Sequence, residues 1–272
     1  VSPATPVIPE FFDIGINLAH DSYDADRGLV MQRALAAGVR QMVVTGSCLE
    51  STRRAVELVG SARRMLRATA GCHPHQAASL SAEVLEELAA LAALPEVVAV
   101  GECGLDYHRD FSPRDVQREA FHRQLELAAR IRKPLFLHTR DAHDDFCAIL
   151  REHQRDLPRA VAHCFTGTRE QMLEYLEMGL WIGITGWICD ERRGHHLREL
   201  VGLVPAGRLM IETDGPYLLP RDLVPKPASR RNEPCHLPHI AGVIARERGE
   251  SLETLAAHTT QTARDFFLFN LS

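Results

Sequence analysis

The sequence has no excess of positive charge. Its 31 Lys and Arg are outnumbered by 36 Asp and Glu, for a formal charge of −5 and an isoelectric point near 6.3. No global basic field is therefore available to hold a polyanion, and any nucleic acid would have to be gripped locally. No apolar run approaches the roughly 18 residues that a membrane-spanning helix needs, so a membrane is not an expected partner. The N-terminal stretch VSPATPVIPE lacks the basic and apolar regions of a signal peptide and reads as an extended arm over residues 1–10. The seven cysteines are odd in number and contain no C-x-x-C pair, which argues against a disulfide framework. They fit reduced thiols in a cytoplasmic protein. No Pro/Gly/Ser linker, low-complexity tract or repeat divides the chain, so residues 11–272 are expected to form one domain. No obligate protein partner is evident.

What is present is an alternation. Continuous apolar runs at 11–18, 41–46, 66–73, 97–104, 134–138, 160–164, 180–185 and 208–214 read as parallel strands covered on both faces. Amphipathic stretches lie between them. Ser81 opens one and Ser112, followed by Pro113, is read as the N-cap of another. "TREQMLEYLEMG" stops on a Gly. Eight strand–helix units in a chain of this length predict a (βα)8 TIM-type barrel rather than an open doubly wound sheet. The long polar stretch at 217–234 follows the last strand, where such loops serve function.

Side chains of metal-ligand type stand at the C-terminal ends of most runs. They are Asp13, His73 and His75 in "GCHPH", Glu102 in "GECGLD", His138 in "FLHTRD", His163 in "AHCFTG" and Asp214 in "ETDGPY". In a barrel all of these ends open on one face, the face that carries active sites. Imidazoles and carboxylates converging there make a site for a divalent cation and a hydrolytic water. Glu102, His138 and His163 would hold the ion, with Asp214 orienting or deprotonating the water. His73 or His75 could donate a proton to the leaving group. Asp106 is expected to fix a ligand histidine from behind.

Taken together, these motifs closely resemble the TatD family of metal-dependent nucleases, within the amidohydrolase-like barrels. "FDIGINL", "GCHPH", "VGECGLDY", "LHTRDAH", "HCFTGT", "WIGITGW", "IETDGPYL" and "SRRNEP" carry the likeness from about residue 11 onward. The resemblance implies 3′→5′ exonuclease action on single-stranded DNA, with RNA as a further substrate, and magnesium as cofactor. It matches Glu102, His138 and His163 to metal ligands and Asp214 to the last-strand carboxylate. It matches His73 to a histidine that contacts the attacking water or the phosphate. Many relatives begin with D-x-H-x-H, whereas this chain has Asp13, Gly15 and Asn17, so Asp13 is left as the first-strand ligand and Asn17 as a weak oxygen neighbour. That departure predicts one well-made metal position rather than two.

Arg140, Arg230 and Arg231, with Arg192 and Arg193, follow strands and are expected to contact phosphate. Tyr107, Phe165, Trp187 and Tyr217 could stack bases. Cys72, Cys103 and Cys164 each adjoin an expected ligand and are read as facing the helices. The imidazoles alone suit zinc or manganese better than magnesium, which prefers oxygen. The competing reading is a metal-dependent amidohydrolase or deaminase acting on a small molecule, a chemistry the same barrel supports.

Overall fold

The computed structural model describes residues 8–269. The expected arm at 1–10 therefore lies mostly outside the described residues. Eight parallel strands follow one another in sequence order around the sheet. They are β1 (Phe11–Ile16), β2 (Val39–Val44), β3 (Leu66–Ala70), β4 (Val97–Asp106), β5 (Leu135–Arg140), β6 (Ala160–Ala162), β7 (Trp181–Ile184) and β8 (Leu209–Ile211). All ten residues of β4 are buried, as a run covered on both faces requires. Just past β8, Asp214 N donates to Gly15 O and Asn17 N donates to Gly215 O, both at 2.8 Å, which joins the last strand to the first. The expected barrel is the observed one.

The outer layer is made by α1 (Arg27–Ala36), α2 (Leu49–Ser61), α3 (Ala82–Ala92), α4 (Arg114–Ile131), α5 (His143–His153), α6 (Arg169–Glu177), α7 (His195–Leu200), α8 (Leu237–Arg248) and α9 (Leu252–Phe267). Ser81 caps α3 by accepting from Val84 N, and Thr168 caps α6 in a reciprocal box with Gln171. One expected cap is elsewhere. Pro113, not Ser112, is the residue before α4. The Ser112 hydroxyl instead donates to His75 O and accepts from Ala78 N, tying the start of α4 to the turn after β3.

Two apolar layers meet at the strands. Phe12, Ile14, Val43, Ala99, Phe136, Val161 and Met210 cluster with Phe266, Phe267 and Phe269, so the C-terminal helix closes the barrel from the end where the strands begin. Phe11, Ile16, Met42 and Val44 belong instead to the layer shared with the helices. This division is the two-residue alternation of a strand, interrupted at Ile16 by the register shift that follows Asp13. No helix among the described residues is long and apolar enough to cross a membrane.

Candidate active site

The opposite end of the barrel is a polar, open cavity of about 1450 Å³ lined by residues that follow the strands. Glu102 is its centre. Its Oε1 lies 2.8 Å from His163 Nε2, 3.1 Å from His138 Nδ1 and 3.3 Å from His73 Nε2. These rings come from the ends of three other strands. Glycine permits the approach of β4 to β5: a Cβ at Gly104 would fall 1.9 Å from His138 O, and one at Gly101 2.1 Å from Phe136 O. Both have positive φ, a conformation that other residues resist.

The tautomers follow from the neighbours. His73 Nδ1 accepts from His75 N at 3.1 Å, which leaves its proton on Nε2, facing Glu102. Burial pulls His73 down to about 4, so the ring is neutral near pH 7. His163 Nδ1 lies 3.2 Å from Glu212 Oε2 and donates to it, which fixes the ring with Nε2 toward Glu102 and the cavity. Burial opposes the charge on His163, but Glu102 and Glu212 reverse that and raise its pKa well above the ordinary value. Burial likewise opposes ionisation of Glu102; the surrounding His73, His163 and His138 outweigh it and hold the carboxyl well below the usual range.

Asp106 supports two rings. It lies 2.7 Å from His75 Nε2 and 3.4 Å from His138 Nε2, and accepts the backbone N–H groups of His108 and Arg109. Burial opposes its ionisation, and those hydrogen bonds reverse the effect. His138 Nε2 is a buried atom without a well-formed hydrogen bond. Asp214, on the far side, lines the cavity, accepts from Asn17 Nδ2 at 3.2 Å and is pushed up to about 8 by burial. The imidazoles of His73 and His138 and the Glu102 carboxylate bring one ligand atom each within 4.8 Å of one another, a donor set that a divalent cation fits.

Several expectations are displaced. Asp13 does not face the cavity. Its carboxylate accepts from Gly15 N (3.2 Å), Thr213 N (3.0 Å) and the Thr213 hydroxyl, and it serves as a buried tie between β1 and the end of β8. Its oxygens are taken, so it is withdrawn as a metal ligand. Arg231 is committed to Asp26 (2.7 and 2.8 Å) and Glu233 (2.8 Å) and lies over the Tyr23 ring, away from the cavity. Arg230 is exposed on its loop outside the cavity lining. Of Arg140, Arg230 and Arg231, only Arg140 lines the cavity. Arg193 also lines it, bound to Asp190 and stacked on Trp187. Cys103 packs in the layer shared with the helices and Cys72 in a small cluster beside it, as expected, but Cys164 lines the cavity with its Sγ 3.6 Å from Thr185 Oγ1.

Glu212 was missed. It is fully buried, accepts from Cys164 N and orients His163. A Cβ on Gly15 would fall 2.2 Å from its Oε2, and one on Gly183 2.7 Å from its Oε1. The available signal was its place two residues before Asp214 in an otherwise apolar strand, since residues i and i+2 share a face.

The family model described as TatD related DNase matches residues 12–268. The chain belongs to the TatD family. A Citrobacter rodentium protein named 3′-5′ ssDNA/RNA exonuclease TatD is 53% identical over 256 residues, 94% of this chain and 97% of that protein. The Salmonella typhimurium protein of the same name is 51% identical over 258 residues, 94% and 98% of the two chains. Among solved structures, a TatD family hydrolase from Entamoeba histolytica superposes with a TM-score of 0.89 at 28% identity, covering 97% of this chain and all of that one. A TatD homolog from Escherichia coli gives 0.87 at 28% identity, over 96% and 99% of the chains. A 5-methylcytosine deaminase from Klebsiella pneumoniae, at 13% identity and a TM-score of 0.63 over 97% and 76%, shares the fold alone.

Proposed function

We infer that this TatD-family protein is a metal-dependent hydrolase of phosphodiester bonds, acting as a 3′→5′ exonuclease on single-stranded DNA and RNA. The observation that carries this is the gathering of three imidazoles on Glu102, with Asp214 across the same cavity. The names of relatives above 50% identity support the polarity and the substrate class.

Glu102, His138 and His163 would hold the cation, with Asp214 completing the set. The cation supplies charge neutralisation on the phosphoryl oxygens and a more acidic water when bound. Asp214, lining the cavity just past β8, is placed to take the proton of the attacking water. His73 keeps its Nε2 proton directed into the cavity, as a hydrogen-bond donor to the phosphate or the water. His75, held on Asp106 through Nε2, is placed to serve the leaving oxygen. Arg140 contributes charge at the mouth. Magnesium is the favoured ion, because phosphate and water oxygens can complete its shell. With Asp13 engaged elsewhere, about one ion per chain is expected without substrate. Seven cysteines without a disulfide support a reducing, cytoplasmic location.

The test uses purified protein stripped of metal and 5′-labelled single strands. Added magnesium should produce a descending ladder, faster than on blunt duplex. Immediate release of a labelled mononucleotide would show attack from the 5′ end. Intact strands alongside amide or amine hydrolysis would favour the deaminase-like alternative, and recovery only with zinc or manganese would overturn magnesium.

A further inference from the structure

Two aromatic rings are conspicuous for being left in water. Phe111 is 66% exposed and Tyr217 is 53% exposed, and both line the mouth of the cavity. The other large hydrophobic side chains exposed to a similar degree are aliphatic, such as Leu29, Leu94 and Val224, and none of these lines it. Phe111 stands on the loop between β4 and α4, and Tyr217 on the loop after β8. In an eight-stranded barrel with strands in sequence order, β4 and β8 are diametrically opposite. The two rings thus stand on opposite sides of the opening.

Each is tied to the reacting groups. The ring of Phe111 rests against His75 at 4.8 Å between centroids, His75 against His73 at 4.2 Å, and His73 against His138 at 4.4 Å. Tyr217 N donates to Asp214 O at 3.1 Å, and its ring meets His20 edge-on at 5.9 Å. The other aromatics at the cavity are engaged: Phe165 and Tyr175 are buried, Tyr107 lies under Arg114 with its hydroxyl on Asp145, and Trp187 lies under Arg193. Arg109 and Arg140 line the same mouth and make no ion pair with a carboxylate among the described residues. Flat apolar faces beside free guanidinium groups are the chemistry of a single-stranded nucleic-acid groove, in which bases stack and the backbone is held by charge.

We propose that Phe111 and Tyr217 form a two-sided stacking subsite for the unpaired nucleobases on either side of the scissile phosphate. This rests on the nuclease reading and deepens it. Paired bases present no free face to two opposed rings, so the subsite selects single strands, and it tolerates any base because every base has a π-face.

The experiment compares Phe111→Ala and Tyr217→Ala with the unaltered protein on a single strand and on the same strand with abasic residues at its last two 3′ positions. Each variant should raise KM on the normal strand by about 5- to 150-fold, the range expected for loss of one stacked base. Phe111→Tyr and Tyr217→Phe should restore it, and the penalty should vanish on the abasic strand. A 2-aminopurine base in those positions should be quenched on binding in the absence of magnesium, and the quenching should be lost in the alanine variants. An unchanged KM, or an equal penalty on both strands, would overturn the subsite. If no strand is cleaved by the unaltered protein, the nuclease reading fails, while the quenching still reports on the subsite.

Discussion

At the end where the strands begin, Phe12 stacks on Phe267 at 6.0 Å and meets Phe269 edge-on at 5.7 Å, while Phe266 packs against Trp181 at 5.1 Å. At the end where they finish, Glu102, three histidines and Asp214 occupy a comparable cross-section. The same strands serve both ends, and their chemistry is opposed. Burial at the first releases apolar surface from water, worth roughly 1.5–3 kcal/mol for each large side chain. Burial at the second takes charges and imidazoles out of water, which is costly unless they are paired or bound to a cation. One end holds the barrel together; the other is kept in place by it.

This contrast can be broken from either side. The largest effect is expected at Glu102. Glu102→Gln replaces the charge at the centre of the site, so turnover should fall by at least about 10³-fold while the thermal midpoint changes little. Near-normal cleavage by the pure, metal-loaded variant would remove Glu102 from the centre. Phe266→Ala is the reciprocal case. It should cost about 3–5 kcal/mol in denaturant unfolding yet leave turnover per folded molecule nearly intact. An equal loss of both would mean that the two ends are not separable.

A smaller loss is expected at Glu212. In Glu212→Gln an amide N–H can face His163 Nδ1, which disfavours the proton there and draws the lone pair away from the cavity. Activity should drop about 10- to 100-fold, with weaker metal binding by calorimetry. Asp13→Asn sharpens the comparison with the smallest change. Burial pushes the Asp13 carboxyl from 3.8 up to about 7, so the folded state holds the proton more tightly than the unfolded chain. Its contribution is fully present below about pH 4 and is lost as the pH rises towards 7. An asparagine can accept from Gly15 N and Thr213 N and donate to the Thr213 hydroxyl, so stability should become flatter over that window. Activity should stay within about threefold, far from the loss expected on removing a metal ligand; a collapse of activity in a folded variant would restore Asp13 to the site.

Much of this arrangement was legible in the sequence. Buried parallel strands announce themselves as unbroken apolar runs, and a carboxylate or imidazole at the end of such a run is conspicuous, which is why Glu102, His138, His163 and Asp214 could be named. Asp13 had the same look. Its difference is that its partners, Thr213 N and Oγ1, lie 200 residues away and are brought to it only by closure of the barrel. Arg231 failed for a similar reason, since Asp26 and Glu233 claim it through tertiary contact. Glu212 was hidden because a residue inside an apolar run reads as part of the core. Phe111 lies in a loop, where no periodicity tells an exposed ring from a buried one.

The contact between Gly15 and Glu212 carries a consequence for how this site can change. The first-strand position that holds a histidine in many relatives is here the space into which the Glu212 carboxylate projects, 2.2 Å from where any side chain would start. A histidine at 15 cannot simply be added as a further ligand; it would collide with the group that aims His163. Gly15→His requires the Glu212 carboxylate to shift, and so disturbs His163 before it offers a nitrogen of its own. At this position the first strand serves geometry rather than coordination: it leaves room for the carboxylate that aims His163.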